Sequence, residues 1–83
     1  MNDPRKMRVT LDADHQGHII VFLAEYHTWI TEQWELGEIE SRNFAETCYL
    51  LGNIEGRALY NGLTQEDLDL IEAWEEEYEQ AEH

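Results

Sequence analysis

The chain has 83 residues, with nineteen acids against five bases and a net charge of −14. A chain this short forms one domain (1–83) with a thin stability margin, because it buries only about 60–65% of the surface that its unfolded form exposes. The charge disfavours direct contact with nucleic acid or an anionic membrane, whose phosphates repel carboxylates, and points to cations or basic protein surfaces as partners.

The one cysteine, Cys48, rules out an internal disulfide and fits an intracellular, cytoplasmic setting. The opening "MNDPRKMRVT" is basic but leads into a polar stretch, unlike a signal peptide. The longest apolar run, "IIVFLA" at 19–24, falls far short of the ~20 residues that span a bilayer. Three of the five bases (Arg5, Lys6 and Arg8) lie in the first eight residues, and from Asp12 onward eighteen acids face only Arg42 and Arg57. Nine aromatic residues are many for so small a core. The surplus points to a partner surface or to a second copy in a homodimer.

Residues 1–13 read as an N-terminal arm, in which "MRVTL" (7–11) is a short strand or an ordered segment and "DADHQG" (12–17) is turn-like. A first helix is expected over about 15–36, with Ile19, Leu23, Tyr26, Ile30 and Trp34 as one apolar stripe. Glu25, Thr28, Glu32 and Glu35 fall opposite. Asp14 is the expected cap, and Gly37 the expected left-handed terminator. A β-hairpin of "MRVTL" with "HIIVFL" is the rival reading. Helix is preferred because the apolar period crosses Leu23 unbroken.

A second helix is expected over about 42–61, starting at Ser41 or at Asn43, with Asn43 and Glu46 as a candidate capping pair and Phe44, Cys48, Leu51, Ile54 and Ala58 facing inward. Ala45, Cys48, Gly52 and Gly56 form a small-residue stripe. Two glycines inside a helix cost about 1 kcal/mol each relative to alanine, so either another helix approaches closely there or the helix breaks. Gly62 is the expected stop. A third helix follows over about 65–81, started by a Thr64/Asp67 capping box and a Leu63/Leu68 staple. Its stripe is Leu68, Ile71, Trp74, Tyr78 and Ala81. The fold class expected is therefore all-α, a compact three-helix bundle.

Nine acids lie between Glu66 and Glu82. On a helix they fall about one per 2.8 Å of axis, comparable with the roughly 3.4 Å per charge of a nucleic-acid strand. Like charges at i,i+4 oppose the helix by a few tenths of a kcal/mol per pair, so something must outweigh them. The bland reading is a solvated or salt-adapted surface. Crowding of the acids in the last third, and fourteen Glu against five Asp, favour a working surface. The candidate partner-binding residues are Asp69, Glu72, Glu75, Glu76 and Glu79, with Glu32 and Glu35 in support. Trp29 is the aromatic anchor, and Trp29, Tyr49 and Tyr60 are expected to be exposed while Tyr26, Trp34 and Trp74 are core.

His15 and His18, at i,i+3, are weak metal candidates, and no His-Glu-x-x-His pattern supports them. No phosphate loop or nucleophile elbow is present, and neither a cofactor, a metal nor an enzymatic activity is expected. In length, charge and aromatic richness the chain resembles small phage-encoded inhibitors that mimic DNA, including some anti-CRISPR proteins. The resemblance implies an inhibitor seated on the basic surface of a nucleic-acid-binding protein or nuclease complex. It carries no motif and assigns no residue roles. The alternative is a structural homodimer or complex subunit from a salt-adapted proteome.

Overall fold

The Asp12 carboxylate starts the first helix by accepting the His15 N–H at 2.8 Å. Asp14, the expected cap, already has helical backbone and lies two residues beyond the cap position, too late to turn its side chain onto free N–H groups. It contributes instead a negative charge to the positive end of the helix dipole. In the computed structural model, which describes residues 3–81, α1 spans Ala13–Glu35, α2 Ser41–Leu59 and α3 Gln65–Gln80. A single 3₁₀ turn, Pro4–Lys6, precedes them. Glu82 and His83 lie outside the described residues. The architecture is the all-α three-helix bundle, and the hairpin alternative is excluded because residues 19–24 lie within α1.

Gly37 (φ 81°) ends α1 as expected. Its N–H donates to Trp34 C=O and that of Glu38 to Gln33 C=O, so two terminal carbonyls are satisfied in a Schellman turn. α2 starts without the expected Asn43/Glu46 pair. Its cap position is Glu40, whose side chain makes no capping bond. Tertiary packing sets this start: the Trp34 and Phe44 rings stack at 4.6 Å, and Trp34 Nε1 donates to Ser41 Oγ at 3.0 Å. Trp34 is consequently 39% exposed at the end of the bundle, a correction to its expected place in the core.

α2 ends at Leu59, and the left-handed residue that follows it is Asn61, not Gly62. Asn61 takes the left-handed conformation (φ 51°), and the Gly62 N–H reaches back to Arg57 C=O at 2.7 Å. Glycine would suit that backbone as well, but it has no side chain to offer. The Asn61 amide accepts from Leu11 N–H at 3.0 Å and donates to Leu11 C=O at 2.8 Å, so it clamps the arm as a neighbouring strand would. Arg8 Nε donates to Asn61 C=O, and Gln16 Nε2 donates to Ala58 C=O. Both add side-chain donors to carbonyls at the α2 C-terminus and the turn after it. The arm is thus ordered, joined to the start of α3 by Val9 N–H to Leu63 C=O and by a lone antiparallel bridge between Arg8 and Thr64.

α3 begins with the expected capping box: Asp67 N–H donates to Thr64 Oγ1 and Thr64 N–H to Asp67 Oδ2. Asp67 also takes both Arg57 donors, at 2.8 and 2.9 Å. Burial alone would raise the Asp67 pKa. The Arg57 and Thr64 bonds outweigh it and hold the carboxyl below its ordinary value.

α1 packs along both α2 and α3. Ile19, Leu23, Tyr26 and Ile30 meet Leu51, Ile54 and Ala58 of α2, Leu63, and Ile71 and Trp74 of α3 in one core. The 23 residues of α1 extend for ~34 Å, which explains the elongated outline of 41 × 29 × 21 Å.

The glycine stripe of α2 meets neither expectation. The helix is continuous through Gly52 and Gly56, and a Cβ at either position would touch nothing within 4 Å. Neither the bundle interior nor a break accounts for them. In dilute solution, Gly52→Ala and Gly56→Ala are each expected to raise unfolding free energy by about 0.5–1 kcal/mol in urea titrations, since they restrict only the unfolded chain. Asp67→Asn is expected to cost ~1–2 kcal/mol at neutral pH, moderated by the partial exposure of Arg57. The native contribution of Asp67 is complete above the unfolded Asp value of about 3.9 and disappears as pH falls through the lower folded value. The gap between wild type and Asp67→Asn in urea midpoint should therefore close with acidification.

Candidate functional site

Each residue of α3 turns the helix by about 100°, which sorts its acids into two groups. Glu75, Glu79, Glu72, Glu76 and Asp69 occupy one arc of roughly 120° on the side away from the core. Glu66 and Glu77 lie on the opposite flank. Glu72, Glu76, Glu79 and Asp69 are exposed, and Glu75 is half-buried. The five expected residues of this helix thus share one face. The apolar stripe makes this possible: Ile71 and Trp74 are buried, Tyr78 packs beside them, and the helix is anchored while its carboxylates repel one another.

The arc does not stop at α3. Glu75, Glu79 and Tyr78 line a shallow groove whose other wall is His18, Val21 and Glu25 of α1. Its continuation is bounded by Glu25, Trp29, Glu32 and Tyr78. Across the ridge of α1, Glu32 and Glu35 line a second groove with His27 and Glu55. One band of carboxylates therefore runs from α3 across α1 to α2. Sequence reasoning omitted Glu25 from it. The signal was present: Glu25 and Glu32 are seven residues apart, which returns to the same side of a helix.

The expected residues fall into an inner and an outer set. Glu75, Glu79, Glu32, Glu35 and Trp29 line the grooves. Glu72 and Glu76 stand outward. Asp69 lies nearer the arm, where Arg5 Nε approaches to 3.9 Å and Gln65 Nε2 donates to it at 2.9 Å. Trp29 is half-buried, against the expectation of exposure. Its ring lies 5.7 Å from Tyr26 and meets Tyr78 edge-on at 5.6 Å. Tyr26 also stacks on Trp74 at 5.2 Å, and Phe22 joins the same cluster. The aromatics form the floor, and the acids the rim. Tyr49 and Tyr60 are exposed as expected.

Within this cluster the Tyr26 hydroxyl donates to Glu77 Oε2 at 2.9 Å. Burial first, and then the bond and charge of Glu77, raise the phenol pKa well above its ordinary value.

His18 approaches Glu75 at 4.0 Å. Neither it nor His15 gathers a set of three donors able to hold a metal among the described residues. Cys48 Sγ lies 3.8 Å from His27 Nε2, and His27 Nδ1 lies 3.6 Å from Glu55 Oε1. Burial and the Glu55 charge push the thiol pKa up, away from the thiolate that nucleophilic chemistry uses. No helix among the described residues is long and apolar enough to cross a membrane. Comparison of the chain with protein-family models, curated proteins and solved structures gives no match.

Glu76 tests the repulsion directly. Glu76→Lys places a lysine four residues after Glu72, turning a repulsive pair into the favourable Glu-before-Lys order. The variant is expected to be more stable by about 0.5 kcal/mol at low ionic strength, with the gain shrinking toward zero near 1 M salt in urea titrations.

Proposed function

We propose that this protein is an acidic binding module that inhibits or modulates a nucleic-acid-binding protein by occupying its basic surface. The observation that supports this reading is the band of carboxylates around an aromatic floor, carried on packed helices. Five acids on one arc of α3 present charge at a density close to that of a nucleic-acid strand. Glu25, Glu32 and Glu35 widen the band across α1. An extended chain with the same charge would lose conformational entropy on binding. Here the helices hold the carboxylates in place beforehand. Covering the band with Arg and Lys side chains would relieve the repulsion along α3 and release counterions from both surfaces. Val21, 58% exposed, together with Trp29 and Tyr78, supplies an apolar centre that a purely electrostatic contact lacks.

Long-range attraction makes such association fast and salt-sensitive. The immobilised protein is expected to capture basic nucleic-acid-binding proteins from a host lysate at low ionic strength. Duplex DNA, RNA or ~0.5 M salt should release them, because all three compete for or screen the same charges. Glu72→Lys/Glu76→Lys/Glu79→Lys should capture none of them while remaining helical. Identical capture by the triple variant, or capture indifferent to salt and nucleic acid, would contradict the proposal.

A further inference from the structure

We infer, resting on the reading of the acidic band as a docking surface for a basic protein, that the groove between α1 and α3 is a pocket for arginine side chains that discriminates against lysine. The groove has two compartments, which share Glu25 and Tyr78. In the first, Val21, Phe22 and Tyr78 lie among Glu25, Glu75 and Glu79. Its volume of about 420 Å³ falls within the ~300–1,000 Å³ of pockets that hold a small ligand. In the second, Trp29 and Tyr78 lie beside Glu25 and Glu32. No lysine or arginine lines either compartment. His18 Nε2 stands 4.0 Å from Glu75 Oε2, too far for a hydrogen bond. The shared wall is rigid, because the Tyr78 ring meets Phe22 at 74° and Trp29 at 81°, with centroids 5.9 and 5.6 Å away.

The lining identifies the occupant. Carboxylates contributed by both α1 and α3 call for a cation, and the aromatic rings between them call for one with a flat, weakly hydrated surface. A guanidinium has both properties. Its planar fork bonds more than one carboxylate at once, and its plane stacks on aromatic rings. Its methylene stem gains apolar contact with Val21, which is exposed at the groove. The lysine ammonium is a compact, strongly hydrated point charge that gains little from a ring or a fork-shaped site. Glu72 and Glu76 stand outside both compartments and offer charge without an aromatic surface. The outer carboxylates therefore attract any basic segment, and the groove sorts arginine from lysine within it.

Isothermal titration calorimetry of the full chain tests this with two unstructured peptides, one carrying about four arginines spaced by glycine and serine, the other with lysine at the same positions. At ~0.15 M salt the arginine peptide is expected to bind at least about ten-fold more tightly. Glu25→Gln/Glu75→Gln should reduce that preference to about two-fold or less. Glu72→Gln/Glu76→Gln removes the same charge, and should weaken both peptides while keeping the preference. All four substitutions keep side-chain length outside the core, and circular dichroism checks that both variants remain helical. Equal affinity of the wild type for the two peptides, a preference that survives Glu25→Gln/Glu75→Gln, or one lost equally in both variants would overturn the arginine pocket and leave the basic-surface reading standing. If neither peptide binds, the pocket is overturned, and the reading falls with it only if salt-sensitive capture from lysate fails as well.

Discussion

The Asp67 carboxylate determines how α2 and α3 meet. It accepts two Arg57 donors from the last turn of α2 and the Thr64 N–H that opens α3, so one side chain closes the corner between the two helices. It is the one charged residue buried among the described residues, and burial would favour its neutral form were these three bonds absent. Arg57 is one of only two bases beyond the arm, and it lies against Asp67 of the most acidic helix. A chain so deficient in positive charge directs this one to the place where geometry requires it. Asn61 completes the corner from the other side by fastening the arm to the turn.

From that corner α3 projects its acids along one arc, and the stability of the array is a contest between two terms. Like charges at i,i+4 destabilise an isolated helix by tenths of a kcal/mol per pair. Burial of a large aromatic or aliphatic side chain contributes about 1.5–3 kcal/mol, and α3 buries Ile71 and Trp74 with Tyr78 and Leu68 packed beside them. Packing therefore prevails, and the helix retains an unrelieved surface charge. That residual repulsion is what a basic partner can remove.

Local signals succeeded where one segment satisfied its own polar groups. The Thr64/Asp67 box and the left-handed Gly37 require only residues within a few positions of one another, and both were legible. They failed where a distant residue competed. Asn43 looked like a cap for α2, but the helix takes the earlier of its two expected starts, Ser41, where Trp34 stacks on Phe44 and bonds Ser41. Gly62 looked like the stop, but the amide of Asn61 had a partner in Leu11, fifty residues away. Trp29, half-buried, and Trp34, exposed, both depart from their expected environments for the same reason. A helical stripe shows which residues face inward, and only the lengths and ends of the neighbouring helices show how far along it the cover extends.

The sequence by itself determined three helices, their apolar stripes, the start of α3 and the concentration of acid in the last third, because helical period, capping and charge are local properties of the chain. Tertiary structure alone decided that the acidic arc continues over α1 through Glu25 and Glu32, that Asp69 turns toward Arg5, and that Gly52 and Gly56 face outward. Those outcomes depend on the rotation of each helix about its own axis. That rotation is fixed only when the side chains of all three helices pack against one another.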